Sequence, residues 1–489
     1  MQDLKRQSPF GIYAEHCRKG ELAYQVTEDG KPLFFPRVVA PGTAGGKLEW
    51  RISKGLGTVY ATTAVYTKDK PPYNVALIDL DEGFRMMSRV EDVDALRVKI
   101  GMRVKVRMHP GDDKQPPYPV FSPAEGKSGR KRGSVAVVGA AESDLGQVAA
   151  DVSPTDLMAQ ATRRALDDCG LKLSDVDGVL AAHTQSRMAV LQLCEYLRIK
   201  PKYFDSTQIG GSSFMSHLAH AMTAIEQGVC GVAVIAYGST QRTVSRAAAS
   251  PREFNPYESV YRPFLPASAY ALAASRHMHQ YGTTREQLAE VAVAARKWAL
   301  MNPAAWEKEP LTIEQALNAR MVSHPFTVRD CCLVTDGGGA IIVTSAARAK
   351  SLKKKPVYVL GVGEAIGHAT ISNMPDLTLT AAAESGPKAF GMAGIRPADV
   401  DMVSLYDAFT INPILFLEDL GFCPKGEGGR FVSNGAIMYG LLVMIEAVRQ
   451  VRGECGARQV KDCEISLAHG NGGVLSSQCT VLFGSEAAL

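Results

Sequence analysis

The 489-residue sequence has no apolar run that approaches a membrane span, and its opening Met1-Gln2-Asp3-Leu4-Lys5-Arg6 lacks the apolar core of a secretory signal. These absences predict a cytoplasmic protein with no membrane partner. Charge of one sign is also scarce. A net charge of +4 on a chain this long leaves no nucleic-acid footprint. The ten cysteines include no Cys-x-x-Cys pair, and nine of them follow residue 168 at irregular spacings. That pattern excludes a disulfide or zinc framework and predicts reduced, mostly buried thiols. Gly361-Val362-Gly363-Glu364-Ala365-Ile366-Gly367 follows a strand-like run, but it lacks Gly-x-Gly-x-x-Gly spacing and no ribose-binding acid is placed after it. Dinucleotide binding is therefore not expected.

The chain does contain a degenerate copy of itself. Gly170-Leu171-Lys172-Leu173-Ser174-Asp175-Val176-Asp177 recurs without a gap as Gly394-Ile395-Arg396-Pro397-Ala398-Asp399-Val400-Asp401, at a constant offset of 224 residues. Each copy reads as an apolar helix end, a glycine stop, an aspartate turn and a β-branched strand. Two α/β units of one design are expected to pack as pseudo-symmetric halves with a ligand site at their junction. The length allows two or three domains, and 46% hydrophobic residues suffice for a large core.

Residues 1–126 are mostly β in pattern, with strands predicted around Gly57–Tyr66, Tyr73–Leu80 and Met102–Arg107, and read as a small barrel of about five strands. The basic, Gly/Ser-containing stretch 127–133 reads as a linker. Strand and helix alternate afterwards, which predicts an α/β domain with halves 134–345 and 346–489. Residues 240–325, richer in Arg, Pro and helix formers, are expected to form an excursion covering the site.

Asp205-Ser206-Thr207-Gln208-Ile209-Gly210-Gly211-Ser212-Ser213 is a Gly/Ser turn that opens a long apolar helix ending near Gly228. Such a turn aims backbone N–H groups and a positive dipole end at whatever lies on it. Ser212 or Ser213 would serve equally well as a plain helix cap.

This buried helix, Asp336-Gly337-Gly338-Gly339-Ala340, Tyr406-Asp407-Ala408-Phe409-Thr410 and the terminal loop Leu467-Ala468-His469-Gly470-Asn471-Gly472-Gly473 occur in an order that resembles the thiolase superfamily, specifically the sterol-carrier-protein-type thiolases and their aldolase-like relatives. The resemblance covers roughly residues 133–489. It implies a duplicated, layered α/β fold, coenzyme A thioester chemistry at a C–C bond, and a homodimer or higher homo-oligomer. Residues 1–126 resemble the OB-fold partners of such thiolases, in which a zinc ribbon usually precedes the barrel. Leu33-Phe34-Phe35-Pro36-Arg37 keeps that register, but Gln25–Asp29 and Val39–Gly42 stand where zinc cysteines would be, so a metal-free remnant is expected.

Departures from the pattern decide the expected chemistry. The position of the thiolase nucleophilic cysteine falls at Gly211, and a serine such as Ser212 or Ser213 would need a general base to attack a thioester. The Asn-Glu-Ala-Phe motif, whose Asn helps polarise a thioester carbonyl, is replaced by Tyr406-Asp407-Ala408-Phe409, and the second catalytic cysteine by His469. Tyr406 and His469 then stand as candidate proton carriers, or as a strand cap and a histidine satisfied in a tight loop. Backbone N–H groups near Gly211, Asn471, Gly472 and Gly473, with Asp407, would hold the substrate oxygen. A Gly-rich, His-bearing stretch of the family is missing between Ile437 and Met438, which reads as two edges of a loop absent from the sequence or as a true deletion. The expected activity is retro-aldol cleavage, or condensation, of a β-hydroxyacyl-CoA, with no permanently bound cofactor and with coenzyme A as part of the substrate. The rival readings are an acyltransferase using a serine or a histidine of that stretch, and a catalytically silent CoA-binding scaffold.

Overall fold

The computed structural model describes residues 8–41, 46–68, 70–111, 115–123, 130–245, 255–433 and 443–489. The chain divides into two units, Met1–Gly129 and Arg130–Leu489. In the first, Ser8 caps helix α1 (Pro9–Arg18) by accepting a hydrogen bond from the Gly11 N–H at 3.0 Å. A three-stranded sheet follows, with β1 (Ala23–Thr27) between β2 (Pro32–Leu33) and β3 (Leu48–Ile52). Strands β4 (Leu56–Thr67), β5 (Lys70–Leu80), β6 (Arg85–Ser88), β7 (Arg103–His109) and β8 (Tyr118–Pro123) form an antiparallel sheet in the order β6-β5-β4-β7-β8. A bridge between Val90 and Phe121 joins its two edges into a barrel around Val59, Ile78, Val104 and Phe121. In the segment that stands at the zinc-ribbon position, the buried Gln25 amide donates to the Arg37 carbonyl at 3.0 Å and accepts from the Arg37 N–H at 2.6 Å. Among the described residues no group of three or more His, Cys, Asp or Glu is placed to hold a metal ion, and no helix is long and apolar enough to cross a membrane.

The second unit is built on one nine-stranded sheet. Its first half contributes β9 (Val135–Glu142), β10 (Gly178–Ala181), β11 (Tyr203–Asp205), β12 (Val232–Ser239) and, after the short hairpin of β13 (Met321–Ser323) and β14 (Phe326–Thr327), β15 (Gly337–Ser345). The second contributes β16 (Val357–Ile366), β17 (Met402–Leu405), β18 (Ile465–Gly472) and β19 (Ser477–Gly484). The strand order is β11-β10-β12-β15-β9-β16-β19-β18-β17. Outward from the β9–β16 seam, β9, β15, β12 and β10 match β16, β19, β18 and β17, and in each half the outermost matched strand runs parallel to its neighbour. The seam itself consists of two residue pairs, Val357 with Val137 and Tyr358 with Ala136.

Helices obey the same symmetry. Helices α2 (Pro154–Cys169) and α5 (Ala382–Ala393) belong to one apolar cluster, while α3 (Ser213–Glu226) and α6 (Val443–Arg452) belong to the other. Both α2 and α5 end in a left-handed glycine, Gly170 at φ 77° and Gly394 at φ 64°. Each lies so close to its strand that a Cβ on Gly139 or Gly361 would come within 2.1 Å of the Ala165 or Ala389 carbonyl oxygen, respectively. Only glycine fits at either place.

The aspartates of the repeat perform one task twice. The Asp177 carboxylate accepts from the backbone N–H groups of Gly231 (2.8 Å) and Val232 (2.9 Å), and Asp401 accepts from those of Glu464 (3.0 Å) and Ile465 (2.9 Å). Each ties the start of one strand to the start of its parallel neighbour. Burial pushes the Asp177 carboxyl up, but the two N–H groups and Lys202 outweigh it and hold the pKa below the usual range. Asp177→Ala and Asp401→Ala should each cost about 1–3 kcal/mol through orphaned backbone donors. Thermal unfolding of the full chain should show comparable, nearly additive losses, and a loss at only one site would mean that the two clasps are not equivalent.

Candidate active site

The turn before α3 meets the end of β18 at backbone contact distance. Gly210 has φ +83°, and a Cβ there would lie 2.6 Å from Gly472 Cα, while a Cβ on Gly472 would lie 1.7 Å from the Ile209 carbonyl oxygen. These glycines let the two halves interlock. Ser213 Oγ fixes the turn by accepting from the Ile209 N–H at 2.9 Å and donating to the Gly210 carbonyl at 2.6 Å. Ser212 Oγ is fully buried, 2.6 Å from Ser477 Oγ and 3.3 Å from the Ile209 carbonyl.

Above this contact opens a cavity of about 2000 Å³, larger than an ordinary small-molecule pocket. Gly211, Ser213, Tyr406, Asp407, Asn471 and Gly473 all line it, together with Phe214, Tyr237, Tyr270 and Cys332. Tyr406 follows β17, and its N–H donates to the His469 carbonyl at 3.0 Å, which continues the parallel pairing one residue beyond the strand. That ring lies over Gly211: a Cβ at 211 would be 2.4 Å from Tyr406 Cε2 and 2.6 Å from the Asn471 carbonyl oxygen. Burial, reinforced by the neighbouring Cys332, Tyr270, Tyr237 and Asp407, keeps the Tyr406 hydroxyl protonated far above its ordinary range. Burial also pushes the Asp407 carboxyl up to about 7.

Behind the cavity wall runs a buried chain of hydrogen bonds. Ser385 Oγ meets Thr480 Oγ1 at 2.9 Å, Thr480 Oγ1 meets His469 Nδ1 at 2.9 Å, and His469 Nε2 meets Gln478 Oε1 at 2.9 Å. Gln478 then donates to Asn471 Oδ1 (2.8 Å), Asn471 Nδ2 to the Tyr270 hydroxyl (2.8 Å), and that hydroxyl to the Gly473 carbonyl (2.9 Å). Because an amide oxygen only accepts, His469 carries its proton on Nε2 and Nδ1 accepts from Thr480. Every group then donates in one direction. Burial lowers the His469 pKa to about 4, so the ring is neutral near pH 7.

Two family models match the sequence: the thiolase C-terminal domain-like family at residues 363–438 and 435–485, and the ChsH2 C-terminal OB-fold domain at residues 50–109. An acetyl-CoA acetyltransferase of Methanothermobacter thermautotrophicus is 32% identical over 71% of this chain and 99% of its own length. This chain belongs to the thiolase superfamily. A 17-hydroxy-3-oxo-4-pregnene-20-carboxyl-CoA lyase of Mycobacterium tuberculosis is 31% identical over 66% of this chain and 92% of its own. The solved structure of the Ltp2-ChsH2(DUF35) aldolase matches with a TM-score of 0.65 at 28% identity, covering 73% of this chain and 99% of that one. The fold is thus a thiolase-like duplication preceded by an OB-fold domain.

Against thiolase expectations, the cavity gathers Gly211, Ser213, Tyr406, Asp407, Asn471 and Gly473, but not Ser212, Gly472 or His469. The serines depart from a nucleophilic role for a geometric reason, since Ser213 is spent on its own turn and Ser212 is held by Ser477 and the Ile209 carbonyl. His469 departs from a direct proton carrier because both ring nitrogens are engaged and it does not reach the cavity. Asn471 lends its side chain to the relay. Gly472 serves the interlock. Asp336 is no reagent either: its carboxylate accepts from the N–H groups of Val148, Arg242 and Thr243 and from the Thr243 hydroxyl, tying cavity loops together. The Ile437–Met438 junction lies outside the described residues, and the two stretches of the thiolase match overlap there, at 435–438.

Sequence reasoning missed Tyr270, on α4 (Ala267–Tyr281) within the 240–325 excursion, and His183 after β10. Tyr270 stacks on Phe409 with ring centroids 4.3 Å apart, so the motif after Tyr406 positions the relay's last donor. Tyr270→Phe would orphan Asn471 Nδ2 and the Gly473 carbonyl while keeping the ring, at a cost of about 1–3 kcal/mol. A fall in thermal midpoint with the far-UV spectrum unchanged would match this; an unchanged midpoint would show that the relay does not support the loop.

Proposed function

We propose that the chain breaks, or in reverse forms, the Cα–Cβ bond of a β-hydroxyacyl-CoA by a retro-aldol reaction. The observation that carries this reading is the Tyr406 ring over Gly211, which leaves no room for the Cβ of a nucleophilic cysteine. Although one relative is named an acetyltransferase, acyl transfer through a cysteine at 211 would require that ring to move. The buried serines offer no activated substitute.

Retro-aldol cleavage needs three things: a base for the β-hydroxyl proton, a donor for the developing enolate oxygen, and a proton for Cα once the bond has broken. Asp407, with its carboxyl near 7, suits the first and last tasks. Tyr406, kept protonated by burial, suits hydrogen-bond donation to a substrate oxygen better than proton removal. The electron pair of the Cα–Cβ bond passes into the thioester enolate, the hydroxyl carbon leaves as a ketone or aldehyde, and the shortened acyl-CoA picks up the proton. His469 acts in this reading as a positioning residue that holds Asn471 and Tyr270 through Gln478. Coenzyme A enters as part of the substrate, with no permanently bound cofactor. Assembly as a homodimer or higher homo-oligomer through the thiolase-like unit belongs to the same reading and rests on the family resemblance.

A β-hydroxyacyl-CoA incubated with the protein should yield a carbonyl product and a shorter acyl-CoA in equal amounts. Tyr406→Phe should lower that turnover by about 100-fold or more with the fold intact. A trapped acyl-enzyme, or full activity in the variant, would overturn the reading.

If Asp407 is the base, its deprotonated form is the active one, so kcat/KM should rise with pH up to about 7 and then level. Asp407→Asn should abolish that limb along with most activity. The stability effect has the opposite sign. A carboxyl whose folded pKa is raised stabilises the fold at acid pH, and that contribution is lost as pH rises through about 7, so Asp407→Asn should melt higher than wild type at pH 8. An unaltered pH profile would remove Asp407 from the chemistry.

A further inference from the structure

We propose that His183 is a substrate-contacting residue that hydrogen-bonds a neutral oxygen of the acyl portion, selecting hydroxylated acyl chains over plain hydrocarbon ones. The proposal rests on the reading of the cavity as an acyl-CoA site. His183 is only 4% exposed and lines that cavity, yet neither Nδ1 nor Nε2 has a hydrogen-bond partner among the described residues. A buried polar group left unpaired costs about 1–3 kcal/mol, and an imidazole has one donor and one acceptor to satisfy. A hydroxyl oxygen can meet either nitrogen.

The placement of His183 follows from the internal symmetry. At the offset of 224 that relates Asp177 to Asp401, His183 corresponds to Asp407, two residues beyond β10 as Asp407 is two residues beyond β17. Both strand ends therefore deliver an ionisable side chain into one cavity. The segment carrying His183 is firmly held. Gln185 donates to Thr240 Oγ1 (2.9 Å) and accepts from the Thr240 N–H (2.9 Å) and Ser239 Oγ (3.3 Å), and the backbone of His183 pairs with that of Ser186. The backbone that carries the imidazole is thereby held beside the cavity. Burial lowers its pKa, so the ring is neutral and suits an uncharged oxygen rather than a carboxylate.

The test uses the full chain in a Tyr406→Phe background that suppresses turnover, with a β-hydroxyacyl-CoA and the saturated acyl-CoA of equal chain length as paired ligands in calorimetric titration. With His183 present the hydroxylated ligand should bind about tenfold more tightly than the saturated one. His183→Leu should lower that preference several-fold, leaving only what Asp407 contributes, with saturated acyl-CoA binding equal or tighter, and His183→Gln should fall between the two. A preference unchanged in His183→Leu would overturn the proposal. Because a misfolded variant would lose both ligands, the His183 ring resonances in the parent protein provide a second reading: they should shift with the hydroxylated ligand and not with the saturated one, and equal or absent shifts would also overturn it. Turnover by protein with Tyr406 intact separates the two ideas. Preference without cleavage would sink the retro-aldol reading and leave His183 in place, whereas cleavage without preference would do the reverse.

Discussion

The approach of the Ile209–Gly211 turn to the Gly472–Gly473 backbone is the constraint on which the rest of the catalytic unit depends. A Cβ at 210, 211 or 472 would fall 1.7–2.6 Å from atoms of the other half, so three side-chain-free positions let the two halves touch through their main chains. That contact sets where α3 begins, how far β18 extends, and where the Tyr406 ring comes to rest. It also explains the two serines. At a junction this tight, hydroxyls stabilise the carbonyl groups of the turn, and none is left over for chemistry.

The chemistry proposed for the cavity follows from what surrounds its residues more than from their identity. Tyr406 and Asp407 are adjacent, yet the same burial moves them to different uses: the phenol is kept protonated beyond the working range, while the carboxyl is brought to the middle of it. A donor fixed in one protonation state beside an acid that can change state is a division of labour suited to moving one proton while holding one oxygen. The thiolase scaffold supplies the geometry of the helix terminus, and replacing the nucleophile's position with a bare backbone hands the site to the aromatic ring opposite.

Much of the architecture was legible because duplication preserves spacing. Gly170 and Gly394, Asp177 and Asp401, and the helices and strands around them kept one offset, and a glycine stop followed by an aspartate clasp can be recognised from residue types alone. The site was less legible. Whether Ser212 or Ser213 faces a ligand depends on Ser477 and on the path of the turn, neither of which has a local signal. His469 reads in sequence as a proton carrier because the resemblance puts the second catalytic cysteine there; its neighbours in space, Thr480 and Gln478, lie across a hairpin and take both nitrogens. Asp407 reads in sequence as a substrate contact, and what sets it apart is its burial in the fold, which pushes the carboxyl up to about 7. Tyr270 sits in a long excursion whose helices carry no motif.

The hydrogen-bond chain from Ser385 to Gly473 limits how this sequence can drift. Because each member donates forward and accepts from behind, the chain has a single polarity, and neighbouring bonds reinforce one another only while that polarity is unbroken. A replacement is tolerated where it hands the proton on in the same sense, as serine would for Thr480, and is excluded where it interrupts the sequence of donors, as valine would there or leucine at Gln478. Changes at these positions must therefore come in matched sets. Residues scattered over a helix, two strands and an insertion, from 270 to 480, are bound to vary together or not at all.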